Sequence, residues 1–257
     1  MFFVVKRKSI LFYCACIVAV IVLAVSISSS SIAGVYFGET TRKIPVYSVE
    51  IDDSADKVIA LTFDAAWGAD KTLKIIEILK EYDAHATFFL VGFWVDKYPD
   101  LVKKIDENGF SIGTHSNTHP DMAKLSVENI RLELETSKSK IEKITGKTVE
   151  LFRAPFGSYN NNLLTIAEEL GLFTIQWDVD SLDWKGGSGA QITSNIVSKV
   201  KPGSIILCHN NSDHIIDALP GVLSSLKQRG YKFVSIDELI YKNEFSIDST
   251  GKQIKNI

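Results

Sequence analysis

Residues 58–82 read VIALTFDAAWGADKTLKIIEILKEY. A short apolar, β-branched run ends on an acid, Asp64, and two alanines, and a longer amphipathic stretch follows. That order predicts a strand and then a helix. The same alternation recurs along the chain. ATFFLVG (86–92) precedes YPDLVKKIDENG, FSIGT (110–114) precedes SVENIRLELETSKSKIEKITG, and LFR (151–153) precedes NNLLTIAEELG. FTIQWDV (173–179) leads to AQITSNIVSKVKPG, SIILC (204–208) to IIDALPGVLSSLKQRG, and KFVSI (232–236) to DELIYKN. Seven strand-then-helix units imply a parallel sheet with helices outside. At 257 residues, the count favours an α/β barrel, closed or nearly so, over an open doubly wound sheet. Gly109, Gly146, Gly171 and Gly230 stand where helices should end in a left-handed cap. No Gly-x-Gly-x-x-Gly turn follows the first strand, which argues against a dinucleotide site.

The ends are of different material. Lys6, Arg7 and Lys8 precede residues 9–38, which carry no charge. That length suffices for a transmembrane helix, and the basic flank places its start in the cytoplasm and the rest of the chain outside. A signal peptide cleaved near Ala33, with secretion, is the competing reading. Residues 1–8 are thus a basic flank, 9–37 an anchor or uncleaved signal, 38–56 a linker, 57–241 the domain and 242–257 a tail. The net charge of −3 and the lack of a dense basic run beyond the N-terminus exclude a nucleic-acid surface. No protein partner is evident. Cys14 and Cys16 lie in the apolar segment and leave Cys208 alone in the domain, so no disulfide framework exists.

In α/β barrels the chemistry sits at the C-terminal ends of the strands. Asp64 follows the first run, His115 the third, Arg153 ends the fourth, Asp178, Asp180 and Asp183 follow the fifth, and His209 the sixth. His115 and His119 are four apart, a spacing that one helical turn places on one face, where two imidazoles can share a divalent ion such as zinc. Cobalt and manganese suit the same ligands. Cys208 should point away from His209, because adjacent strand residues face opposite sides. His85 reads as structural, His214 as exposed, and Asp70 as the N-cap of the first helix. Trp67, Trp94 and Trp184 could stack on sugars or belong to the core.

In order, TFDAAWG, HSNTH, RAPFG, DSLDW and LCH resemble the motif series of the NodB-homology polysaccharide deacetylases, carbohydrate esterase family 4, from about Lys57 to Tyr241. Within it, the TFD-x-x-WG form is most similar to the PdaB-like sporulation branch. The resemblance implies a distorted (β/α)7 barrel that removes N-acetyl, and sometimes O-acetyl, groups from peptidoglycan or chitin-like glycan. It implies that His115 and His119 bind the metal and that Asp64 is the general base. His209, held by Asp183, becomes the general acid, and Arg153 orients Asp64. The backbone N–H near Phe156 would stabilise the oxyanion, and Trp184 would line the acetyl pocket. Many members carry a second acid, a metal ligand, where this chain has Ala65. Asp64 or Asp70 could replace it, or water could. Phe156 stands where a tyrosine is usual. The alternatives are a catalytically weak or inactive glycan-binding wall protein on the same fold, and an amidase cleaving another C–N bond.

Overall fold

The computed structural model describes Ile17, residues 42–52 and residues 56–256. The expected anchor lies outside them, apart from Ile17. Among the described residues no helix is long and apolar enough to cross a membrane.

The strands are β1 (Ser48–Val49), β2 (Lys57–Ala65), β3 (Thr87–Leu90), β4 (Ser111–Thr114), β5 (Leu151–Phe152) and β6 (Phe173–Thr174), then β7 (Val179–Asp180), β8 (Ile205–His209), β9 (Tyr231–Val234), β10 (Phe245–Ile247) and β11 (Lys252–Lys255). The helices are α1 (Thr72–Glu81), α2 (Gly92–Lys97), α3 (Pro99–Glu107), α4 (Val127–Thr145), α5 (Asn161–Glu169), α6 (Gly189–Lys199), α7 (Ile215–Gln228) and α8 (Ile236–Leu239). The main sheet runs β6-β5-β4-β3-β2-β8-β7, with β9 also on β2, and every pairing in it is parallel. This is an α/β half-barrel with the seven strand-then-helix units that the pattern predicts.

The two-residue period of a strand sorts the side chains. Ile59, Leu61, Phe63 and Ala65 of β2, Phe88 and Leu90 of β3, and Ile206 and Cys208 of β8 join the layer under the helices, where Phe63 stacks on Phe88. Helices supply Ile75, Leu79, Ile105, Ile130, Leu134 and Leu219 to the same layer. The alternate residues Ala60, Phe89 and Ile205 form a second cluster inside the sheet's curve, and Thr62 and Asp64 share their parity. Gly113 makes room there: a Cβ would lie 2.6 Å from the Phe89 ring and 3.0 Å from the Leu151 Cβ. Gly113→Ala should therefore cost about 1–3 kcal/mol through overpacking, read as a lower denaturant midpoint at unchanged m-value. An unchanged midpoint would contradict it.

Gly109, Gly146, Gly171 and Gly230 all adopt the expected left-handed φ, and the side chain of Ser126 caps the start of α4. Three expectations need correction. Lys71, not Asp70, occupies the cap position of α1, with no side-chain cap bond, because the turn ends one residue later. The run at 173–179 is two strands, since the Ile175 and Gln176 carbonyls between them accept from Arg153 Nε (3.3 Å) and Nη2 (3.2 Å). Segments read as linker and tail are folded: β1 pairs parallel with β11, and β10 antiparallel with β11. Val46 bridges to Ile175, and buried Gln253 bonds both the N–H and the C=O of Tyr241.

Candidate active site

Asp64 and His209 are register partners on neighbouring strands, β2 and β8. The strand spacing alone thus sets a carboxylate beside an imidazole. Arg153, which follows β5 and is completely buried, comes from the far side. Its Nη1 donates to Asp64 Oδ1 at 2.8 Å and to Thr62 Oγ1 at 2.7 Å. Its guanidinium lies 4.2 Å from the centre of the Phe89 ring and 5.6 Å from that of Trp177. Burial by itself would raise the Asp64 carboxyl, but the charges of Arg153, His115 and His209 and the Arg153 hydrogen bond outweigh it and hold the group below its ordinary value. Asp64 is an ionised base at neutral pH.

The two histidines meet, though not on a helix. Residues 115–119 form a loop in which Ser116 and His119 take left-handed φ of 70° and 60°. Glu133 of α4 pins this loop by accepting from the Asn117 and Thr118 amides at 2.8 Å each, and Ser116 Oγ accepts from the His119 amide. The rings of His115 and His119 end 4.9 Å apart, edge to face. Trp67 and Phe156 each lie 4.7 Å from His119.

Both imidazoles suit a metal ion. His115 Nδ1 lies 2.8 Å from the Arg153 carbonyl, which can only accept, so the proton sits on Nδ1 and the Nε2 lone pair is free. Among the described residues His119 Nδ1 is buried without a hydrogen-bond partner. Burial lowers the pKa of both, that of His119 to about 4 with help from the neighbouring His115 charge, so both are neutral at pH 7. Asp64 Oδ2 stands 3.5 Å from His115 Nε2. Ala65 is buried in the apolar layer, and Asp70 is exposed in the turn before α1. Among the described residues no three of His, Cys, Asp and Glu gather as a ligand group.

Opposite, Asp183 holds His209. Its Oδ1 lies 2.7 Å from His209 Nδ1 and its Oδ2 accepts from the His209 amide at 2.8 Å. Burial would lower the His209 pKa, but the hydrogen bond and charge of Asp183, with smaller contributions from Asp64 and Asp180, raise it above the ordinary value. Asp183 thus biases half-buried His209 towards holding a proton that it can give. Phe156 adopts a left-handed φ of 61° at the rim and is exposed, as is Trp184 beside Asp183.

Of the ionisable residues expected at the site, Asp64, His115, His119, Arg153, Asp183 and His209 come together, whereas Asp70, Asp178 and Asp180 do not join them. Asp178 turns to the start of β8 and accepts from Ser204 Oγ and the Ile205 amide. Asp180 caps the Leu182 amide. Cys208 is buried and faces the helices, His214 pairs with Asp217, and His85 lies at the surface near Glu238. Sequence reasoning missed Thr62, Glu133, Gln176 and Trp177. Only Thr62 had a signal, two residues before Asp64 on the same face.

A family model described as polysaccharide deacetylase matches residues 52–175. Among curated relatives, the peptidoglycan-N-acetylmuramic acid deacetylase PdaA of Bacillus subtilis is 33% identical over 203 residues, 77% of each chain. The chain belongs to the polysaccharide deacetylase family. A peptidoglycan-N-acetylglucosamine deacetylase of Bacillus cereus is 35% identical over 70% of this chain and 67% of its own. Among solved structures, a mutant of a Bacillus anthracis pseudoenzyme of carbohydrate esterase family 4, one with restored enzymatic activity, superposes with a TM-score of 0.72 at 37% identity. That match covers 76% of this chain and 70% of that one. The deacetylases so named are hydrolases of C–N bonds.

Proposed function

We propose that this polysaccharide deacetylase removes N-acetyl groups from cell-wall glycan, peptidoglycan or chitin-like, with His115 and His119 holding a divalent metal ion. The observation that carries the reading is the pair of opposed couples, Arg153 with Asp64 and Asp183 with His209, on adjoining strands beside two neutral imidazoles. Zinc, cobalt or manganese would polarise the acetyl carbonyl when bound. Asp64 takes a proton from the water that adds to the carbonyl carbon. The backbone N–H near Phe156 would donate to the developing oxyanion. As the C–N bond breaks, His209 protonates the amine nitrogen, giving acetate and a free amino sugar. Phe156 and Trp184 at the rim would contact the sugar.

The uncharged stretch 9–38 behind Lys6, Arg7 and Lys8 supports a membrane anchor with the domain outside, acting on the wall. Likeness to the PdaB-like branch supports a role in sporulation. The motif likeness also supports closure of the half-barrel into a distorted (β/α)7 barrel.

The test is acetate release by the full chain from peptidoglycan and chitin oligomers, after chelation and again with each metal restored. The expected result is loss of at least about 100-fold on chelation, recovery with metal, and no recovery in His119→Ala. A second reading, a glycan-binding wall protein, is favoured by Ala65, which leaves no second acid beside Asp64. A folded chain that binds glycan but releases no acetate with any metal would establish that reading instead.

A further inference from the structure

Trp67 does more than close over His119. Its ring is 61% exposed and lies edge-on to His119 at 4.7 Å and tilted against Phe93 at 6.0 Å. The turn that carries it is fastened, because the Gly68 carbonyl accepts from Trp94 Nε1 at 2.8 Å and from Asn210 Nδ2 at 3.1 Å. Behind it opens a cleft of about 390 Å³ lined by Trp67, Phe93, Trp94, Lys97 and Tyr98, a size typical of small-molecule sites. Lys97 is exposed, with its Nζ 5.2 Å from the Tyr98 ring centre. Among the described residues it has no acidic partner, whereas Asp96 beside it is engaged by Lys140 at 2.6 Å. An exposed cation over the Tyr98 ring, in a cleft walled by the tryptophan that packs on His119, matches a sugar whose ring packs on the aromatics and whose substituent is an anion.

We propose that this cleft is a subsite for a carboxylate-bearing sugar unit adjoining the one deacetylated. The proposal rests on the glycan reading above and adds selection for peptidoglycan over neutral chitin chains. The carboxylate could come from a lactyl ether or from a stem peptide.

The test is calorimetric binding by the full chain in detergent. The probes are chitotetraose, a peptide-free tetrasaccharide alternating N-acetylglucosamine and N-acetylmuramic acid, and its peptide-bearing form. In Lys97→Glu, binding of a carboxylate-bearing probe should weaken about tenfold, while chitotetraose stays within about twofold. Loss for the peptide-free probe assigns the lactyl group, and loss confined to the peptide-bearing probe assigns the stem. Equal effects on all probes, no effect on any, or no binding by the unmutated chain would overturn the proposal. Lys97 touches none of the reacting groups, so turnover separates the two readings. Acetate release with Lys97→Glu binding unchanged sinks the subsite alone, and selective binding without acetate release sinks the deacetylase alone.

Discussion

Arg153→Met should cost about 3–5 kcal/mol of folding stability at neutral pH, because it strands the Asp64 carboxylate in a buried site without its counter-charge. Methionine keeps the aliphatic length over Phe89 but none of the five donors, so the Ile175 and Gln176 carbonyls lose the bonds they accept from Arg153, and Thr62 Oγ1 keeps only its own donation to the Ile206 carbonyl. The sign with pH follows from Asp64. Its folded pKa is depressed in the native protein, so the pair contributes stability above the unfolded carboxylate value near 4 and loses it as pH falls through the folded value. In the variant, burial acts with far less opposition, the Asp64 pKa rises, and acid neutralises the stranded charge. The stability gap should therefore be widest at pH 7 and narrow towards pH 4. Denaturant unfolding at the two pH values checks this, and a gap independent of pH would refute the ion-pair account. Activity should fall too, since a protonated Asp64 cannot take a proton from water.

Asp183→Asn should lower kcat about 10²–10⁴-fold with little loss of stability. An amide presents one acceptor and one donor where the carboxylate presents two acceptors. If its oxygen keeps the His209 amide, its NH₂ faces His209 Nδ1 and forces the wrong tautomer. Asp183 supplies the main push that raises His209, so its loss lets burial lower that pKa. The acid form of His209 then disappears at lower pH, and the basic limb of the kcat–pH profile should move to lower pH. A reduced kcat with an unmoved basic limb would show that Asp183 acts on something other than the proton held by His209.

The seven-unit α/β order was readable because strand and helix periodicities are local properties of the chain, expressed within a few residues. The same locality made the site legible: strand ends mark one face of the sheet, and the two-residue period puts Asp64 inside the curve and Cys208 outside it. The two histidine rings do meet, but not for the reason that their spacing suggests. A four-residue spacing fits a helical turn, but here two left-handed residues and a glutamate from α4 bring the rings together.

What the amino-acid order settled unaided is the seven strand-then-helix units, their parallel arrangement, and the inventory of acid, base and imidazole groups at the strand ends. Tertiary structure alone decided the rest. The split of residues 173–180 into two strands depends on where a guanidinium some twenty residues away spends its donors. The β1-β11-β10 sheet joins segments about two hundred residues apart, through strands of two to four residues too short to carry an apolar run that would announce them. Asp178 stands among the candidate acids in the sequence, yet folds towards the start of β8, where its two oxygens satisfy Ser204 and Ile205. Periodicity is set by neighbours along the chain, whereas partners for buried charges and strand edges are chosen in three dimensions, by which donors and acceptors would otherwise go unpaired.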